Sequence, residues 1–131
     1  MAFDWQEFLH LAERLLESDT EAAYRSAISR AYYSFFNAAF ERAQRNNCCN
    51  FDSEDRNKGM HVRCWGVYKK GPDPDCRKLG VEGDRLRDLR VRADYKSAEY
   101  RRLREDAAQF IKDVRALSGK LAALDVRYPA P

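Results

Sequence analysis

The segment LRDLRVRADY, residues 86–95, carries Arg87, Arg90 and Arg92, then Asp94 and Tyr95. Guanidinium groups are planar donors suited to phosphate and carboxylate, so this stretch is a candidate grip for nucleic acid or an acidic partner. At about 100° of rotation per residue, Leu86, Leu89 and Ala93 share one narrow helical stripe. Arg87, Arg90 and Asp94 share one flank of it, where Arg90 and Asp94 can pair at i,i+4, and Arg85, Asp88 and Arg92 share the other. Both flanks are mixed in sign. A solvated helix laced with salt bridges has the same pattern, and both readings stand at this point. A second basic run, Arg101, Arg102 and Arg104, is interleaved with Glu99, Glu105 and Asp106.

Cys48, Cys49, His61, Cys64 and Cys76 offer soft ligands, and His61 and Cys64 are one helical turn apart. No Cys-x-x-Cys pair accompanies them, and adjacent Cys48 and Cys49 can rarely serve one tetrahedral ion without strain. The expectation is unpaired thiols in a reducing compartment, with no metal and no cofactor. The other histidine, His10, falls among core-facing residues of the first helix and is read as a boundary residue without chemistry.

Five helical segments must position these groups. From Asp4 to Glu17, Trp5, Phe8, Leu9, Ala12, Leu15 and Leu16 recur at helical spacing. Ser18-Asp19-Thr20-Glu21 then offers a capping box, and so short a turn favours antiparallel neighbours. The second helix, from about Thr20 to Arg45, is apolar on two sides. Ala23, Tyr24, Ala27, Ile28, Ala31, Phe35 and Ala38 make a broad face, while Tyr33, Phe36 and Phe40 line up on another. Such a helix is either central in its own domain or also faces a second subunit. Residues 46–58 read as a loop, and a short helix runs from about Gly59 to Lys69, ended by KKGPDPDC. The arginine-bearing helix spans about Val81 to Tyr95. The last helix, with a stripe of Leu103, Ala107, Phe110, Val114, Leu117 and Leu121, extends to about Leu124.

A chain of 131 residues is the usual size of one domain and long enough to bury a core. With 44% hydrophobic and 34% charged residues but only six Gly and four Pro, it reads as all-α. The net charge of +3 neither demands a polyanionic partner nor excludes one. No apolar run approaches the roughly 18–20 residues of a membrane span, and Met1-Ala2-Phe3-Asp4 has no basic region of a secretory signal, so a cytoplasmic location with no membrane contact is expected.

The segments RSAISRAYYSFFNAAFERA on the second helix and LRDLRVRADY on the fourth, with a histidine opening the third and a long amphipathic last helix, resemble the HEPN domains. The likeness is to the branch with AYYxxFxAA-type and LRxxADY-type segments. It spans nearly the whole chain in the right order. The resemblance implies a bundle of four to five helices, assigned to residues 1–124, while the chain's own pattern makes 125–131 a flexible C-terminal tail. It also implies a homodimer formed through the central helices, to which the second apolar face of Tyr33, Phe36 and Phe40 is assigned.

HEPN domains of this branch occur in prokaryotic toxin–antitoxin and antiphage defence systems, often beside a minimal nucleotidyltransferase. Nuclease members carry Arg, four to six residues, then His on the fourth helix, and cut RNA without a metal. Here the histidine position reads Asp94, which does not titrate near neutrality as acid–base chemistry requires. Arg90 retains the means to hold a phosphate and Tyr95 to stack or donate a hydrogen bond. Arg56-Asn57-Lys58-Gly59-Met60-His61 meets the spacing, but it spans the loop and the start of the third helix. The resemblance thus implies a dimeric RNA- or partner-binding module with a degenerate nuclease motif, using Arg87, Arg90, Arg92, Asp94 and Tyr95. Its partners would be RNA, a nucleotidyltransferase-type protein or a larger effector. The alternative is a metal-independent endoribonuclease using Arg56 and His61, or Arg90.

Overall fold

The computed structural model describes residues 3–46, 59–96 and 102–129. Among them the chain forms five helices and no strand: α1 (Gln6–Leu16), α2 (Glu21–Arg45), α3 (Met60–Lys69), α4 (Pro74–Tyr95) and α5 (Leu103–Arg127). The all-α expectation holds, and no helix of the described residues is long and apolar enough to cross a membrane.

The α1–α2 turn is made by Asp19, whose φ of 51° lies in the left-handed region that Asp tolerates better than most residues. Thr20 then caps α2, its Oγ1 accepting the Ala23 N–H at 3.1 Å. The expected box of Ser18 and Glu21 is therefore displaced: the cap is Thr20, two residues later, and three positions beyond it stands Ala23, which has no acid to reach back. From this start α2 runs through the middle of the bundle and packs against α1, α3, α4 and α5. Ala23, Tyr24, Ala27, Ile28, Ala31 and Phe35 are buried on its broad face. The two apolar sides of α2 are therefore the marks of a central helix.

The fourth helix starts at Pro74, seven residues before the expected Val81. Pro74 follows the N-cap Asp73, whose carboxylate accepts the Asp75 N–H at 2.8 Å. The Asp-Pro pair read as a terminator is a helix start, since proline at the first helical position loses no hydrogen bond. Two glycines of this helix, Gly80 and Gly83, lie under α3. A Cβ on Gly83 would lie 2.2 Å from the Trp65 ring, and one on Gly80 would lie 2.7 Å from the Trp65 carbonyl oxygen. These glycines let α3 seat Trp65 directly on the α4 backbone.

At its other end α4 is held by Arg25 of α2, whose Nη1 donates to the carbonyls of Ala93 at 2.8 Å and Lys96 at 3.1 Å. These are among the last carbonyls of a helix, which have no partner within it. The last helix continues to Arg127 rather than ending near Leu124. Asp125 binds Arg42 at 2.8 Å, Arg127 binds Asp75 at 3.0 Å, and the Tyr128 hydroxyl donates to Asp73 at 2.9 Å. Side-chain ties to α2 and to the start of α4 thus hold residues assigned to a flexible tail, through Tyr128.

Candidate functional site

The groups singled out for chemistry meet where α2, α3 and α4 come together. Trp65 of α3 donates its indole N–H to the Tyr32 hydroxyl at 3.1 Å, and that hydroxyl lies 2.7 Å from Nδ1 of His61. An indole can only donate, so the Tyr32 oxygen accepts from Trp65. Tyr32 has no other partner among the described residues, and its single proton goes to His61 Nδ1. The ring proton of a neutral His61 is then carried on Nε2. The tautomer is assigned by this donor inventory.

Burial is the first reason that His61 stays neutral, and the nearby guanidiniums of Arg90 and Arg87 add to it, pushing the imidazole down to about 4. Its ring stacks on Phe36 with centroids 4.0 Å apart and an interplanar angle of 24°. Burial likewise pushes the Tyr32 phenol up, so it keeps the proton that it donates.

Arg90 pairs with Asp94 at 3.1 Å, as the helical spacing predicted. It does not lie on a wet flank, however: its side chain is only 9% exposed. Its guanidinium carbon sits 5.4 Å from the Tyr32 ring centroid and 5.3 Å from that of Tyr33. The two tyrosines of α2 cover this part of α4, which the pattern of α4 alone could not reveal. Nε of Arg90 and Nε of Arg87 are both buried without a hydrogen-bond partner among the described residues.

The remaining predicted residues divide. Arg92 is exposed and lines a separate groove with Leu89, Gln109 and Phe110 against α5. Tyr95, the last residue of α4, is 75% exposed. Arg56 lies outside the described residues, as do Cys48, Cys49 and Arg101. Among the described residues no three His, Cys, Asp or Glu side chains converge as a set of metal ligands; Cys64 is buried and Cys76 half-buried.

The face assigned to a second subunit needs correction. Phe36 is buried within its own chain, under His61 and Trp65 of α3, while Tyr33 and Phe40 are half-buried against the core. The three rings are not left in water. Two contributors were missed at the level of sequence. Tyr32 sits one turn after Ile28 and one turn before Phe36, a third apolar row of α2 visible in the spacing. Arg30 lies one turn before Tyr33, with its guanidinium carbon 4.9 Å from the Phe8 ring centroid and 5.8 Å from that of Tyr33.

The site is accordingly a cluster of cationic and N–H donors set among aromatic rings, with Asp94 paired to Arg90. No protein-family model, no curated protein and no solved structure matches the chain, so the site is read from its own chemistry.

Proposed function

We propose that this chain is a HEPN-like domain of a prokaryotic toxin–antitoxin or antiphage defence system, acting in the cytoplasm as a dimeric module that binds RNA or a protein partner and does not cleave. The observation that carries this reading is the hydrogen-bond chain from Trp65 through Tyr32 to His61. It occupies Nδ1 and leaves Nε2 protonated, so the ring has no lone pair with which to take a proton from a ribose hydroxyl. Three neighbouring donors, on Arg87, Arg90 and His61, suit an oxyanion instead. Asp94, where a nuclease would carry histidine, supports the same conclusion.

The test is a comparison of RNA turnover and RNA retention in the presence of a chelator. The purified chain should cut labelled RNA no faster than its Arg90→Ala variant, while Arg87→Ala should weaken retention. A second reading, metal-independent cleavage, draws on the closeness of His61 to Arg87 and Arg90, with Arg56 as an alternative partner. Robust cleavage abolished by His61→Ala would establish that reading and remove the first. Association with a second copy draws support from Met60 and Val62, exposed at the start of α3, with Tyr33 and Phe40 half-buried on α2. A nucleotidyltransferase-type protein is the other partner class proposed, and co-purification would test it.

A further inference from the structure

Most arginines with a visible role in the bundle have a carboxylate beside them. Arg25 pairs with Glu21, Arg42 with Asp125, Arg85 with Asp113, Arg90 with Asp94, Arg115 with Glu13 and Arg127 with Asp75. Arg30 has none among the described residues. Its neighbours are instead two ring faces, Phe8 of α1 and Tyr33 of α2. A guanidinium lying over a ring keeps the N–H groups at its rim available for a planar or tetrahedral anion.

Arg30 is also close to the cluster already described. Its guanidinium carbon and that of Arg90 lie 5.8 and 5.3 Å from the same Tyr33 centroid. Arg87 and His61 add donors on the Arg90 side, and Asp94 is the one carboxylate that pairs with any of these groups among the described residues. The cluster therefore carries excess positive charge around a half-buried tyrosine. Arginines interleaved with aromatic rings are how proteins hold a single nucleic-acid strand, the cations taking phosphates and the rings meeting bases. An acidic peptide needs only the charge.

From this arrangement we infer that Arg30 is a second phosphate contact and that the surface grips one RNA strand at two points, with Tyr33 between them. The inference rests on the RNA-binding form of the proposed function and specifies the ligand and one residue that reads it.

The experiment is fluorescence anisotropy of a labelled oligouridine strand titrated with the full chain across a series of salt concentrations. Each phosphate contact to a single strand adds about 0.7 to the steepness of the logarithmic salt dependence. Arg30→Ala should weaken binding by about five-fold or more and flatten the slope by about that one contact. Arg30→Lys should retain the slope. If the alanine variant melts early, Arg30→Gln keeps a long planar side chain over the rings without the charge and gives the same readout. Unchanged affinity and slope in both uncharged variants, alongside weakened binding by Arg87→Ala, would overturn the role of Arg30 while leaving RNA binding intact. Failure of the unaltered chain to bind oligouridine while it binds polyglutamate would overturn both and assign the surface to an acidic protein.

Discussion

His61 couples the site to pH. It is enclosed by Tyr32, Tyr33 and Phe36, with Arg87 and Arg90 adding positive charge, and its folded value of about 4 lies below the ordinary 6.5. As pH falls, the unfolded chain takes up this proton first. The stability contributed by neutral His61 is therefore complete above about 6.5 and is lost as pH drops toward the folded value. The melting temperature should fall by a few degrees between about pH 7 and pH 5, a window above most carboxylate titrations. His61→Asn cannot be protonated there and should flatten the dependence even if it melts lower throughout. A wild-type melting temperature that does not move over this range would contradict the assignment.

Arg90 calls for a different expectation. An exposed i,i+4 pair is worth about 0.2–0.5 kcal/mol. A buried cation resting on two tyrosines is tied to its surroundings more strongly, so Arg90→Ala should lower the melting temperature clearly, whereas the same change at exposed Arg92 should not. Asp94→Asn keeps a hydrogen-bond acceptor for Arg90 while removing the negative charge. It should strengthen oligouridine binding a few-fold; weaker binding would show that Asp94 assists the ligand rather than opposing it.

At the scale of elements, the contact between α3 and α4 depends on the absence of side chains. Gly83→Ala forces a methyl group into the Trp65 ring, and overpacking of this kind typically costs about 1–3 kcal/mol. Gly66 in α3 and Gly119 in α5 have no atom within 4 Å of an added Cβ. Alanine at either should stabilise the chain by up to about 1 kcal/mol through helix propensity alone. Thermal melts of the three variants should therefore move in opposite directions, and a neutral Gly83→Ala would mean that α3 packs more loosely than described. Arg25 makes a comparable tie at the end of α4. Arg25→Ala should speed amide exchange in the last turn of α4 before it changes the rest of the bundle, since the lost bonds are local to that terminus.

For the whole molecule, the question is whether a helix as central as α2 also serves a second copy. Its Phe36 is already covered by α3, so a dimer face on this side of the molecule would draw on Tyr33, Phe40 and the exposed Met60 and Val62 at the start of α3. Light scattering at micromolar concentration should give twice the 15.3 kDa chain mass. Met60→Glu combined with Val62→Lys changes only exposed positions and should yield a folded monomer. A monomer in the unaltered chain would refute the dimer, and a dimer unaffected by the double variant would move its interface elsewhere.

Local periodicity alone determined the helical class, the Leu86 and Ala93 stripe of α4 and the approach of Asp94 to Arg90, because each depends on residues no more than one or two turns apart. It also exposed two apolar sides on α2 without saying what covers each. Only the tertiary structure decided that α3 lies over Phe36, that Gly80 and Gly83 are seats for Trp65, and that Asp73-Pro74 opens α4. The same holds for the state of His61, since Tyr32 is 29 positions away in the chain and their hydrogen bond requires α2 and α3 to meet. Arg30 escaped notice because it belongs to no arginine run, and its aromatic partners Phe8 and Tyr33 lie on different helices. A side chain's charge is written in its residue type. Whether that charge is buried, paired or left for a ligand depends on which helices pack around it.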